Sequence, residues 1–414
     1  MSKKNILYVF ISGRLEKINL SNYEYAKEFF YGYHHFKHLQ HDVDIIEFSE
    51  KKSLLKWIYY ILNKLSDLPI YGQYLVSKSN YRKLKNADEV ILTNQKTAFS
   101  MLPLLVFINL RNKTNINIFI MGLFGKKMKY KIKEFFRDKF IKLLMKNSKN
   151  LIFLGQGEYE LALKKYYKYE KKFLYLPFGI DNDFWNYKTK DTIKNDILFI
   201  GNDGMRDYEF LEKLIESLPE YTFNVVSSKF KPTKNLKNLN LYAGDWSKNT
   251  YSDKFLKDLY HNNRLTILPI KNTYQPSGQS VTLQSMAIGT PVLITKTEGF
   301  WDKNNFIDKK NIFYLFIILG TSFGLIGLLI GILLSVVLSE NLSQIVTFIE
   351  QTISVRLYQP EIYFLAEIPS IIDWSETIRI SVLTLILSIL SSLVPAYNAT
   401  KTDPAILMKN IRFK

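Results

Sequence analysis

Cysteine is absent from the 414 residues, which excludes disulfides, thiolate metal sites and cysteine nucleophiles. Histidine occurs five times. Four of these, His34, His35, His38 and His41, are crowded together, but no carboxylate completes a metal set, and a polar helix end accounts for them. No Gly-Lys-Ser/Thr phosphate loop is present, so the chain carries no ATPase cassette of its own. No helix-turn-helix, finger or RNA-binding motif accompanies the positive charge, which argues against nucleic acid as a partner. The opening MSKKNILYVFISG is basic, but its apolar run is short and no small-residue cleavage site follows, so no signal peptide is expected.

The charge that is present is unevenly shared. Residues 307–414 hold eight basic and eight acidic side chains, so the whole formal charge of +18 lies in residues 1–306. A basic part beside a neutral, apolar tail points to anionic ligands or an anionic membrane surface.

Residues 1 to about 305 alternate strand runs with helical stretches. NILYVFIS (5–12), VDIIEF (43–48), ADEVILTN (87–94) and NINIFIMG (115–122) read as strands, with a helix expected over 22–40. LIFLG (151–155) and LYLPFGID (174–181) follow. A second series then runs through DILFIGND (196–203), YTFNVVSS (221–228), LNLYAGD (239–245), LTILPI (265–270) and PVLIT (291–295). This rhythm predicts an α/β fold of two Rossmann-like, doubly wound lobes with a ligand cleft between them, outside the carboxyl ends of the strands. The expected divisions are 1–150, 151–305 and 306–414.

The chemistry-bearing residues fall at those carboxyl ends. Gly201 and Gly204 occupy the turn between a strand and a helix, where backbone amides can approach a phosphate, and Arg206 adds a fixed positive charge. In PSGQSVTLQSMAIGTPVLIT, Ser277 and Gly278 open a helix, and Gln284 lies about two turns along it. The segment KKMKYKIKEFFRDKFIKLLMK (126–146) is a basic helix with Phe, Ile and Leu interleaved. It reads either as an ordinary amphipathic helix on the first sheet or as a surface for anionic lipid.

The second motif resembles the donor-binding stretch of family-4 retaining glycosyltransferases with the GT-B fold. In that family a small-Gly turn leads into Glu-Ala-Met-Ala and then Gly-x-Pro-Val. Gln284, Ser285, Met286 and Ala287 fill the helical positions here, and Gly289, Pro291 and Val292 the exit. LPFGIDNDFW, with Pro177, Gly179 and Asp181, resembles the interdomain segment, and His41 stands where the family often has histidine. The resemblance covers residues 5–302. It implies a metal-independent, hexosyltransferase-like enzyme that uses a nucleotide sugar as substrate, needs no cofactor and serves a cell-envelope glycan or lipid acceptor. It places Gly201 and Arg206 at the diphosphate, Ser277 and Gly278 as amide donors, Gln284 at the ribose and Gly13 facing the donor sugar. Two positions depart from the family: Gln284 replaces the ribose-contacting glutamate, and Pro276 stands where an acidic residue is usual. An amide still reaches vicinal hydroxyls, without charge assistance. No residue stands out as a catalytic base.

The tail is of another kind. Asn311 to Leu338 is uncharged and apolar enough to span a bilayer, and a second span is expected over 378–394, with Trp374 at interfacial depth. Gly320, Gly324, Gly327 and Gly331 line one face of the first span, which permits close packing on another helix. Lys309 and Lys310 precede the spans, and Lys401, Lys409, Arg412 and Lys414 follow them. Between the spans Arg356 faces Glu340, Glu350, Glu361, Glu367 and Asp373. Positive-inside logic puts both ends, and with them the soluble part, in the cytoplasm of a bacterial inner membrane. EIYFLAEIPSIIDW and VPAYNATKTDPAILMKN resemble the C-terminal quarter of lipoprotein-releasing ABC transporter permeases. Pro395, Ala396, Ala399, Pro404 and Leu407 match the closing signature, and Lys409 stands near its usual arginine. That resemblance implies a partner subunit with an ATP-binding cassette.

Between the two, DKNNFIDKKN is too short for a polar interdomain linker, and the donor lobe it follows is expected to be incomplete. The expected function is therefore a glycosyltransferase joined to a permease fragment. Two alternatives stand beside it: a transport component carrying a passenger soluble domain, and a chimeric gene.

Overall fold

A computed structural model describes residues 3–19, 25–49, 56–109, 114–125, 130–186, 196–244, 250–300, 309–353 and 370–401. By its internal contacts the chain divides into two units, Met1–Trp301 and Asp302–Lys414. The seam at 301–308, the start of the basic helix at 126–129, and Arg356, Glu361 and Glu367 lie outside the described residues. So do Pro404, Leu407, Lys409, Arg412 and Lys414.

The first unit opens with β1 (Asn5–Phe10), α1 (Arg14–Asn19), α2 (Tyr33–His38), β2 (Asp42–Glu47), α3 (Lys56–Ser66), α4 (Lys78–Lys85) and β3 (Glu89–Leu92). It continues with α5 (Gln95–Asn109), β4 (Asn115–Ile120), α6 (Lys131–Lys146), β5 (Asn150–Phe153), α7 (Gln156–Lys165) and β6 (Phe173–Tyr175). The six strands form a parallel sheet in the order β2-β1-β3-β4-β5-β6. Its strand β1 is apolar from Ile6 to Phe10 because both of its faces are covered. Leu7 and Val9 join one buried cluster with Val90, Leu92, Ile116 and Ile118. Ile6, Tyr8 and Phe10 point the opposite way and join Phe30 and Tyr33. Side chains alternate along a strand, so a continuous apolar run requires two cores.

Two expectations need correction here. The helix expected over 22–40 is instead, among the described residues, a single 3-10 turn at Glu28–Phe30 followed by the short α2. Tyr31 (φ 50°) and Gly32 (φ 84°) are both left-handed, and a right-handed helix cannot continue through them. The division expected at residue 150 cuts into the first sheet, because β5 pairs with β4 and β6 pairs with β5. The chain leaves the first lobe after Tyr175.

The second lobe contains β7 (Asp196–Ile200), α8 (Tyr208–Ser217), β8 (Thr222–Val226), β9 (Leu239–Tyr242), α9 (Asp253–Asn262), β10 (Leu265–Leu268), α10 (Gln279–Ala287) and β11 (Val292–Ile294). Its parallel sheet has the order β11-β10-β7-β8-β9. Leu198, Ile200, Val226 and Leu268 enter a core with Trp185, Tyr260 and Ile288.

The second unit contains α11 (Lys309–Glu340), α12 (Leu342–Ile353) and α13 (Trp374–Lys401). Ile317–Glu340 and Trp374–Tyr397 are long and apolar enough to cross a membrane. The glycine face is used over half its length. A Cβ on Gly320 would come within 2.6 Å of Ser392 Cβ, and one on Gly324 would meet Ser388. Ser388 Oγ also donates to the Gly320 carbonyl at 3.1 Å. Gly327 and Gly331 face open space among the described residues.

Candidate active site

In the second sheet the chain builds β7, β8 and β9 outward on one side, then returns to lay β10 and β11 on the other. The switch falls between β7 and β10, and the loops leaving their carboxyl ends part there, which opens a crevice. These two loops are stitched together at their base. Asp207 N donates to Pro269 O (2.9 Å), and Lys271 N donates to Met205 O (2.8 Å). Asp207 also caps α8, accepting from Phe210 N at 3.1 Å.

Arg206 lies in this crevice, 4% exposed. Gly201 and Gly278 make room for it. A Cβ on Gly278 would sit 2.9 Å from Arg206 Nη1, and one on Gly201 would meet Nε. Gly278 is also left-handed (φ 85°), so it permits the turn into α10 as well as the close approach. Asp203 Oδ2 is 3.5 Å from Arg206 Nε and accepts a 2.7 Å hydrogen bond from Ser277 Oγ. Even so, Nε and Nη1 of the buried guanidinium make no hydrogen bond among the described residues. Burial lowers the Arg206 pKa, and Asp203 acts in the opposite direction.

A cavity of about 380 Å³ opens beside this arginine. From the second lobe it is lined by Gly201, Asp203, Arg206, Ser280, Val281 and Gln284, and from the first lobe by Arg14, Lys17 and Phe29. Of the residues expected from sequence, Gly201, Arg206 and Gln284 line the cavity. Gly278 abuts the arginine behind it. The Ser277 amide donates to Gln275 O (2.7 Å) and its hydroxyl to Asp203, so Ser277 braces the loop. The free amides at this end belong to the first turn of α10, where Ser280 and Val281 line the cavity. Gly13 is left-handed (φ 78°) and turns the chain from β1 into α1, which brings Arg14 and Lys17 to the cavity wall. Gly204 has open space around it.

Gln284 is committed at both ends. Its Oε1 accepts from Tyr260 Oη (3.0 Å), and its Nε2 donates to Glu28 Oε1 (2.8 Å). Glu28 comes from the first lobe and takes a second hydrogen bond from Trp185 Nε1 at 2.8 Å. Burial raises the Glu28 pKa, and the Gln284 hydrogen bond is the foremost of the contacts opposing this. A glutamate at 284 would set two carboxylates against each other, so the amide suits this contact. Lys17 Nζ reaches across to Asp253 at 2.8 and 2.7 Å, and Asp253 Oδ2 also accepts from Ala26 N (3.0 Å). Burial lowers the Arg14 pKa, with Tyr31, Asp253, Glu47 and Glu28 opposing.

Sequence reasoning missed Arg14, Lys17, Glu28 and Asp253. Arg14 carried one legible signal, its place directly after the Gly13 turn at the carboxyl end of β1. Away from the cavity, Glu158 is fully buried and accepts from Gly122 N (2.6 Å) and Phe124 N (2.9 Å). Burial pushes its pKa up to about 7 against those hydrogen bonds.

No protein-family model matches the chain. Among curated proteins, the lipoprotein-releasing system transmembrane protein LolC of Xylella fastidiosa is 30% identical over 99 residues, 24% of each chain. Its counterpart from Neisseria meningitidis is 32% identical over the same length. The chain thus spans about a quarter of the length of these relatives. Among solved structures, the catalytic domain of starch synthase IV from Arabidopsis thaliana, bound to ADP and acarbose, has a TM-score of 0.46 at 12% identity. The match covers 74% of this chain and 87% of that one. The lipopolysaccharide outer core galactosyltransferase WaaB has a TM-score of 0.41 at 12% identity, covering 73% and 83%. These two structural likenesses each cover about three quarters of this chain, and the LolC match about a quarter of it.

Proposed function

We propose that the first unit is a glycosyltransferase that moves a sugar from a nucleotide-sugar donor to a cell-envelope glycan or lipid acceptor. The observation that carries this reading is the buried Arg206 guanidinium, whose Nε and Nη1 lack acceptors at a topological switch point. A buried cation left short of acceptors costs several kcal/mol. The diphosphate of a nucleotide sugar would supply those acceptors, and the first turn of α10 adds amides and the positive end of its dipole. As the bond from sugar to diphosphate breaks, the electron pair leaves with the diphosphate. Arg206 and the amides stabilise that charge without a metal, while the acceptor hydroxyl forms the new glycosidic bond and passes its proton to the departing diphosphate. Gln284, with Glu28, stands at the ribose, and Gly13 turns the chain toward the donor sugar.

The test is thermal stability of the full chain in detergent with uridine, adenosine or guanosine diphosphate. One of them should raise the Tm, and Arg206→Ala should remove most of the gain, since a charge-assisted contact contributes about 1.5–3 kcal/mol. A gain that survives in the variant would exclude Arg206, and no gain with any diphosphate would sink the glycosyltransferase reading.

The LolC similarity and the two membrane-capable helices favour a second role for the tail, as a permease fragment in the inner membrane with the soluble unit cytoplasmic. Such a fragment would recruit an ATP-binding cassette subunit. Mixed in detergent with that purified subunit, the chain should comigrate with it, and separate migration would leave the tail as an anchor. Reads of source DNA across codons 300–312 would test whether the junction is a chimera.

A further inference from the structure

A helix that packs on a sheet through one face normally turns polar side chains outward. On α3, Tyr59 and Leu62 pack into the first core. The opposite face carries Trp57 (63% exposed), Tyr60 (59%), Ile61, Lys64 and Leu65, at helical spacing. Its neighbour α6 repeats the pattern with Ile132 (69% exposed), Phe135 (58%), Lys139 and Leu143. The two helices are in contact. Arg137, buried on α6, fixes the end of α3 by donating from Nη1 to Asp67 O at 2.8 Å. Lys64 Nζ lies 4.7 Å from the Tyr60 ring centroid and Lys139 Nζ 5.3 Å from that of Phe135. Lysines therefore interleave with the apolar groups.

We infer that α3 and α6 together form a docking face for an anionic lipid surface. Aromatic and aliphatic side chains enter the boundary between headgroups and acyl chains, while lysines meet the headgroup phosphates. Three observations favour lipid over other occupants. Ile61, Leu65, Ile132 and Leu143 suit acyl chains and offer nothing to stacked bases. The lysines repel a second copy of the same face, because α3 holds no acidic residue and the five lysines of α6 outnumber its Glu134 and Asp138, the latter already paired with Lys142 at 2.6 Å. The same chain carries two helices able to cross a membrane, so lipid is within its reach.

The test uses the full chain in vesicles whose acyl chains are brominated, which quenches any tryptophan that enters them. The chain holds five tryptophans, so the share from Trp57 is the difference between wild type and Trp57→Phe. That share should be quenched roughly twofold or more in mixed phosphatidylcholine and phosphatidylglycerol relative to phosphatidylcholine alone. Lys139→Glu with Lys146→Glu, or high salt, should release it. Equal quenching in both lipids would place Trp57 against an apolar surface without headgroup recognition and would overturn the inference, as would no quenching in either. Shielding that depends on protein concentration would indicate a second copy, and shielding by a single-stranded oligonucleotide would indicate nucleic acid; either result also overturns it.

Discussion

The two units use the same kinds of side chain in opposite ways. In the first, Tyr8, Phe99, Phe153 and Phe199 are fully enclosed in packed cores. In the second, Phe323, Leu333 and Phe348 stand open along helices whose apolar stripes have no core to enter. Glycine differs in the same manner. Gly201 and Gly278 make room for a buried charge, whereas Gly320 and Gly324 make room for two serines on a neighbouring helix. Apolar content alone therefore does not say what a segment packs against. The solvent it is built for does, and lipid supplies for the tail what the cores supply for the lobes.

The largest effect expected from breaking this comparison is at Gly278. Gly278→Val would add a branched side chain at a left-handed position, 2.8 Å from Ile270 Cδ1 and 2.9 Å from Arg206 Nη1. Left-handed strain of about 1–2 kcal/mol and overpacking of about 1–3 kcal/mol should sum to ~2–5 kcal/mol, read as a lowered denaturant midpoint. An unchanged midpoint would mean that the turn has slack the geometry does not show.

Glu158 gives the next effect and contrasts a buried ionisable group with the neutral tail. Its folded pKa is raised to about 7 from 4.5, so the folded chain keeps a proton that the unfolded chain has released between those values. Stability from this group is complete below about pH 4.5 and is lost as pH rises to about 7, by at most about 1.4 kcal/mol per unit. Glu158→Gln should flatten that slope in denaturation followed across the window. A wild-type slope of the opposite sign would mean that the amides of Gly122 and Phe124 outweigh burial.

Arg206→Met separates a ligand role from a structural one. It keeps the apolar stem and deletes a guanidinium whose Nε and Nη1 donors are unmet, while the loss of the 3.5 Å pairing with Asp203 acts against that gain, so the stability of the unliganded protein should change little. Affinity for a nucleoside diphosphate should fall about 10–100-fold, measured by calorimetry. A fall in stability without a change in affinity would make the arginine purely structural.

The smallest effect is expected in the tail. Gly324→Leu should weaken packing of α11 on α13 by about 1–2 kcal/mol, while Gly327→Leu, which faces open space, should change it little. Because the chain lacks cysteine, an introduced pair across the two helices gives cross-linking without background. Equal loss in both variants would show that the open half of the glycine face also has a partner.

Much of this molecule was determined by sequence alone, since parallel strands buried on both faces must read as continuous apolar runs and bilayer spans as long uncharged ones. A glycine turn at a strand end marked Gly201 and Arg206, and the resemblance of the α10 stretch to a donor-binding motif marked Gln284. Only the tertiary structure decided what those residues meet. Glu28 reaches Gln284 across 256 positions, and Lys17 reaches Asp253 across 236. No local pattern encodes such pairs, because they exist only once two separately folded sheets bring their carboxyl ends together. The placement of β5 and β6 was likewise a matter of pairing. Their runs suit either sheet, and hydrogen bonds to β4 and β5 assign them to the first.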